Sequence, residues 1–374
     1  MEKTKERKLH TLWRICPARH ALLAISLLWL GFYFLFRENK PLMNVICRIA
    51  VRPWHRFAGK VYSILPFSAA EWLIAVGLLA AALFFVQLGI HVVGRRGGEA
   101  LYRWAVSLVT ILAVLFGLFS LWWGVFYYSD TFAEQAGISR RDISVGELRD
   151  VTAYFASLAN GYKDRVDRDE DGCFAVPKED ILAQSETIYA AAERVYPCLA
   201  GPPLRAKGVY FSRVMSRINY TGFFFPFTAE ANVNMDSPGA LLPSTVAHEL
   251  AHQRGVAGED EANFVAVLAS LESGNDAYIY SSALLAYIYL GNALYRADAE
   301  AWRLIAWSID PLVWNDLDAN SAYWKQFEGK AAEISEKVYE GYLKTYGDDR
   351  GMKSYGACVD LLTVCYLDEA RTGE

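Results

Sequence analysis

Three long apolar runs crowd the first third of this 374-residue chain, at about 21–36, 72–93 and 104–128. Backbone N–H and C=O groups in hydrocarbon need partners, and a single segment supplies them only as a helix. The runs are therefore read as three transmembrane helices within an anchor over residues 1–128. The first is short, about 16 residues where about 20 are expected for a span, so flanking residues must help. A cleaved signal peptide is the competing reading; the bulky stretch 33–37 holds no small-x-small site and favours an uncleaved anchor. Lys3, Lys5, Arg7 and Lys8 precede the first run, and Arg95, Arg96 and Arg103 lie between the second and third. Basic loops favour the cytoplasm, which places residues 129–374 outside it, at the cell membrane. The 37–70 segment, with Arg48, Arg52, Arg56 and Lys60 among apolar residues, runs against that rule. Part of it is expected as an amphipathic helix on the lipid surface, so a lipid bilayer is one partner. Pro66 breaks it, and Ser68-x-x-Glu71 has capping-box spacing for the next helix.

Charge divides the chain at the same place. Residues 1–128 hold fifteen Lys/Arg and five Asp/Glu; the remainder holds twenty-two and thirty-seven. An acidic second part excludes nucleic acid as a partner, since that needs clustered positive charge. None of the six cysteines forms a C-x-x-C pair, so the thiolate zinc spacing is absent. Disulfides outside the cytoplasm and buried free thiols both stay open.

Chemistry concentrates at His248-Glu249-Leu250-Ala251-His252. Positions four apart share a helix face, so both imidazoles can point at one ion. Glu249, one residue after the first, is close enough to hold a water on that ion. This is the layout of a zinc metallopeptidase, with Glu249 as general base and a peptide or protein as substrate. The domain has no further histidine. The third ligand should then be a carboxylate, and the donor to the developing oxyanion a tyrosine or arginine; Tyr355 is the candidate.

Around the motif the pattern is mostly α with a small β-sheet. Ser144-x-x-Glu147 opens a helix. Asp167, Asp169, Asp171 and Gly172 match half of a calcium loop, but Lys178 holds the closing position, so a solvated loop is expected. Residues 181–195 have helical periodicity. Strands are expected within 208–236, where Glu230, Asn232 and Asn234 alternate with apolar residues on one open face. That strand is expected at a sheet edge where substrate adds, making those three residues substrate-binding candidates. Pro243-Ser244 starts the motif helix, Gly255 ends it, and a helix follows over 260–273. Residues 277–295 suit a core helix better than a fourth span.

Glu259-Asp260-Glu261-Ala262-Asn263 resembles the E-x-x-x-D/N helix of the glutamate-liganded zinc peptidases. The resemblance implies Glu259 as ligand and Asn263 as support for a ligand histidine, with Glu261 the alternative ligand. His252 and Glu259 are close in sequence, so the chain must reverse over Gly255-Val256-Ala257-Gly258. The motif, with Pro226-Phe227-Thr228-x-Glu230-Ala231-Asn232-Val233-Asn234, Ser354-Tyr355-Gly356 and Val359-Asp360-Leu361-Leu362, also resembles a bacterial membrane family, the domain-of-unknown-function family 3810. That resemblance implies a zincin-like α+β metallopeptidase domain over 129–374 with Zn²⁺ as cofactor. A catalytically silent zinc-binding sensor or scaffold that binds peptides is the alternative.

Overall fold

The computed structural model describes residues 13–94, 97–345 and 355–373, with the side chains of 355–357 outside the description. Arg95, Arg96 and the basic residues before Trp13, used above for topology, also lie outside it.

The chain forms two units, and the division differs from the expected one. The first comprises residues up to Val51 together with Glu71–Ser129; the second comprises Arg52–Ala70 and Asp130–Glu374. Residues 52–70, assigned above to the anchor, therefore pack with the second unit. Gly59 shows why: a β-carbon there would meet Leu204 Cδ1 at 2.5 Å.

In the first unit α1 is Pro17–Phe36, followed by α2, Lys40–Ile46, and a π turn over Cys47–Val51. α1 starts before the apolar run does, which supplies the length the run lacked. α3, Arg52–Tyr62, belongs to the second unit. α4, Ala69–Val93, begins there and continues in the first, and α5 is Gly98–Trp122. α1, α4 and α5 are each long and apolar enough to cross a membrane. The third helix ends at Trp122, short of the expected 128, and Gly124–Tyr128 turns into a 3-10 segment. Tyr33 donates its hydroxyl to the Gly124 carbonyl at 3.1 Å, and Trp29 Nε1 donates to Gly117 O at 2.9 Å. Amphipathic rings thus tie α1 to the end of α5 and the turn after it by polar contacts, which apolar packing alone does not orient.

The second unit opens with α6, Phe132–Ala136, and α7, Val145–Tyr162. α7 carries the expected capping box, Ser144 with Glu147. The 181–195 helix is broken instead into α8, Lys178–Gln184, and α9, Ala192–Val195. Ser185 sits at the break; its hydroxyl donates to Leu182 O and accepts from the Ala206 N–H just before the first strand. In the acidic loop, Asp169 Oδ1 accepts from the Asp171 and Cys173 N–H groups. Lys178 Nζ instead donates to the carbonyls of Met235 and Ser237.

Three strands form one sheet: β1, Lys207–Val209; β2, Gly222–Phe225; β3, Glu230–Asn234. α10, Ser212–Arg217, lies between the first two. The order is β1–β3–β2, with β1 parallel and β2 antiparallel to β3. Ala231 and Val233 point into the core beneath α11, Leu242–Gln253. The helices after it are α12, Glu259–Glu272; α13, Asp276–Ala297; α14, Ala299–Ser308; α15, Pro311–Lys325; α16, Lys330–Thr345; and α17, Tyr355–Thr372. α13 is the expected core helix: Tyr278, Tyr280, Ala283, Leu284, Ala286 and Leu290 are fully buried in it. The described architecture is mostly helical with one small sheet. Among the described residues no disulfide joins any of the cysteines.

Candidate metal centre

α11 carries Pro243 in its first turn and closes in a left-handed turn at Gly255, φ 89°. The Gly255 N–H donates to His252 O at 2.9 Å and the Val256 N–H to Ala251 O at 3.1 Å, the double closure in which glycine is favoured. Gly258 then caps α12, so the chain reverses within the four residues foreseen.

That reversal brings His248, His252 and Glu259 together, their ligand atoms all within 4.8 Å of one another. Among the described residues no other group of three His, Cys, Asp or Glu side chains does so. His248 Nε2 lies 3.2 Å from Glu259 Oε2, and His252 Nε2 lies 3.5 Å from Glu259 Oε1. Each imidazole thus faces a different oxygen of the same carboxylate. The opposite ring nitrogens are held. His252 Nδ1 contacts Val256 O at 2.7 Å; a carbonyl only accepts, so this nitrogen carries the proton and Nε2 is left as ligand. His248 Nδ1 meets Asn263 Oδ1 at 2.9 Å, the same arrangement. The three side chains could hold a metal ion.

Electrostatics agree with a cation site. Burial works against charge on Glu259, yet the two imidazoles hold its carboxyl well below the ordinary range. Burial likewise opposes charge on His252, but Glu259 outweighs it and raises the imidazole to about 9. Burial pushes Glu249 up to about 7, against the pull of both histidines. Glu249 is 3% exposed and its Oε2 has no hydrogen-bond partner. An orphaned carboxylate oxygen beside this ligand set is where a water on the ion would be gripped.

Glu261, the alternative ligand, is turned elsewhere. It accepts the N–H groups of Phe132 at 2.7 Å and Ala133 at 3.1 Å, capping α6. Its neighbour Asp260 pairs with Arg140 at 2.6 Å.

The strand candidates are a correction. β3 is the middle strand, hydrogen-bonded on both sides, so nothing can add along it. Glu230, Asn232 and Asn234 do share one face, but it is covered, and all three are buried. Glu230 accepts from the Ala69 and Ala70 N–H groups at 3.1 and 2.8 Å, from Thr228 at 2.8 Å and from Lys207 Nζ at 2.6 Å. Asn232 accepts from the Ser68 hydroxyl at 2.7 Å. Asn234 donates to Ser216 Oγ and Tyr220 O, both at 2.9 Å. Period-two alternation shows which side chains share a face, not whether that face is open. The edge near the ligands is β2: a β-carbon at Gly222 would lie 2.5 Å from Glu249 Oε1.

Two tyrosines at the site went unforeseen. The Tyr339 hydroxyl on α16 donates to Glu259 Oε1, and the Tyr220 ring packs edge-on against Tyr339 with centroids 6.0 Å apart. Burial raises the Tyr220 hydroxyl pKa; the Ser335 hydrogen bond works against that rise and Glu259 adds to it. The only sequence signal was elimination, which left a tyrosine or an arginine, and the candidate taken from it was Tyr355. Tyr355 opens α17, and its side chain lies outside the described residues.

A family model described as protein of unknown function (DUF3810) matches residues 50–363. No curated protein and no solved structure matches the chain.

Proposed function

The chain belongs to the DUF3810 family, and from the geometry of its metal centre we propose that it is a membrane-anchored zinc metallopeptidase of zincin-like type. One observation carries the reading: two oriented imidazoles and Glu259 converge within 4.8 Å, beside a buried Glu249 carboxylate oxygen with no partner.

When bound, zinc supplies Lewis acidity and makes a coordinated water acidic near neutral pH. His248, His252 and Glu259 would hold the ion, with Asn263 and the Val256 carbonyl fixing the rings. Glu249 accepts the proton of the attacking water. The water oxygen bonds to the peptide carbonyl carbon, the C–N bond breaks, and Glu249 returns the proton to the leaving nitrogen. Tyr339 replaces Tyr355 as the hydroxyl available to the reacting carbonyl oxygen. Substrate pairs along the outer edge of β2, beginning at Gly222, in place of β3. The basic stretches flanking the spans favour a second unit outside the cytoplasm.

The test is zinc content and peptide hydrolysis of the full chain in detergent, before and after Glu249→Gln. Zinc retained at one per chain with hydrolysis lost in the variant is the expected result. A wild-type chain that binds no zinc would overturn the reading. Zinc binding without cleavage of a broad peptide library would replace it with the peptide-binding sensor.

A further inference from the structure

Resting on the peptidase reading, we infer that the substrates are the membrane-proximal stretches of polypeptides that are themselves anchored in the bilayer. The reason is how near the site stands to the start of α4. Gly222, against Glu249, is followed by Phe223, which pairs with Asn232, whose side chain takes the Ser68 hydroxyl at 2.7 Å. One strand residue, one strand-to-strand step and the two side chains sum to at most about 20 Å between Glu249 and Ser68. Ser68 immediately precedes α4, whose apolar run begins at Trp72, about 5–6 Å further along the helix. Within this unit Glu230 holds the first two N–H groups of α4 and is itself paired with Lys207.

A second feature of this unit, on α3, suits a lipid headgroup layer. α3 buries His55, Ala58 and Gly59, while Phe57 is 63% exposed, Val61 45% and Ile64, just past its end, 81%. Arg56 and Lys60 are exposed along the same helix. A ridge of exposed apolar side chains interleaved with basic ones suits the boundary between headgroups and acyl chains. With the further ~5–6 Å to Trp72, Glu249 is at most about 26 Å from the start of that apolar run, a distance that about eight extended residues span. A segment held far from the membrane does not reach the metal.

The experiment places the full zinc-loaded chain in phosphatidylcholine–phosphatidylglycerol vesicles with three substrates. Each carries the same randomised ten-residue segment. In one it is joined to a membrane-spanning helix by three prolines, in the second by twenty-four prolines, and in the third it is free. The spacers hold the segment about 9 and about 74 Å from the anchor, because polyproline extends about 3.1 Å per residue. Cleavage is mapped by mass spectrometry, with Glu249→Gln as the blank. The expected result is cleavage of the near segment at least tenfold faster than of the far one, and of the free one more slowly still. Equal cleavage of near and far segments would overturn this inference and leave the peptidase reading standing. Cleavage of none by the wild-type chain would overturn both.

Discussion

Gly222 and Glu249 are in contact across the edge of the sheet. A β-carbon at Gly222 would sit 2.5 Å from Oε1 and 2.8 Å from Cγ of Glu249. The second distance matters because Cγ is not a side-chain tip that can swing aside. Gly222→Ala is expected to displace Glu249 and lower hydrolysis by about 100-fold or more, the usual worth of a positioned general base. Zinc content should stay at the wild-type value, because the three atoms nearest that β-carbon all belong to Glu249. A variant that hydrolyses peptide normally would show that Glu249 is not the base.

On the proposed reading, Asn263 would act on the ion only through His248. Replacing it with Ala removes the acceptor at 2.9 Å from Nδ1 and frees the ring to rotate. Supporting residues of this kind are worth about 10- to 100-fold in metal affinity. Competition with a chromophoric chelator should show that loss in Asn263→Ala and a far larger one in His248→Ala. Glu261→Gln should leave affinity unchanged and destabilise the fold instead, since its carboxylate caps α6.

The Lys207–Glu230 pair is buried, with Nζ 2.6 Å from Oε1. Lys207 also donates to Tyr62 O and Phe67 O, so one ammonium joins β1, β3 and the segment before α4. Lys207→Met leaves a buried carboxylate with three donors and no countercharge. Breaking such a pair costs about 3–5 kcal/mol, which chemical unfolding in detergent would report. The double variant with Glu230→Gln should recover part of that loss. If it does not, the charge pair is not what the site depends on.

Much of this arrangement was legible because each part carried its own physical mark. Apolar length marked α1, α4 and α5; the i, i+4 histidines marked the ligand face; Gly255 marked the turn that lets Glu259 come back. What escaped was contact between distant segments. Nothing local distinguishes a strand with an open polar face from one whose polar face is covered, so Glu230, Asn232 and Asn234 were misplaced. The partners that cover Glu230 and Asn232, Ser68 to Ala70 and Lys207, lie in segments far apart in the chain. Tyr339 escaped for the same reason: α16 has only Leu343 buried and shows no core stripe that fixes its docking.

Glu147 gives a pH dependence. Arg141, then the Ser144 N–H and hydroxyl, lower its carboxyl from 4.5 to about 2. A folded-state pKa below the unfolded one stabilises above the unfolded value and is lost as pH falls through the folded value. Glu147→Gln should therefore lower the thermal midpoint at pH 7. The difference from wild type should shrink between about pH 4.5 and pH 2. A difference that persists unchanged at pH 2 would mean the carboxylate charge contributes nothing to α7.

Tyr339 separates support of a ligand from action on substrate. Its hydroxyl donates to Glu259 Oε1, the oxygen that also faces His252 Nε2. Tyr339→Phe removes that hydroxyl and keeps the ring against Tyr220. If the hydroxyl turns to the reacting carbonyl during turnover, kcat falls by about 100-fold, as for loss of one oxyanion donor, while KM and zinc affinity hold. If it only steadies Glu259, zinc affinity falls instead and kcat per bound zinc is unchanged. Measuring kcat at saturating zinc, with zinc affinity alongside, decides between them. The first outcome is expected, because the imidazoles and the ion would hold Glu259 without Tyr339, whereas the domain has no histidine left to act on the oxyanion.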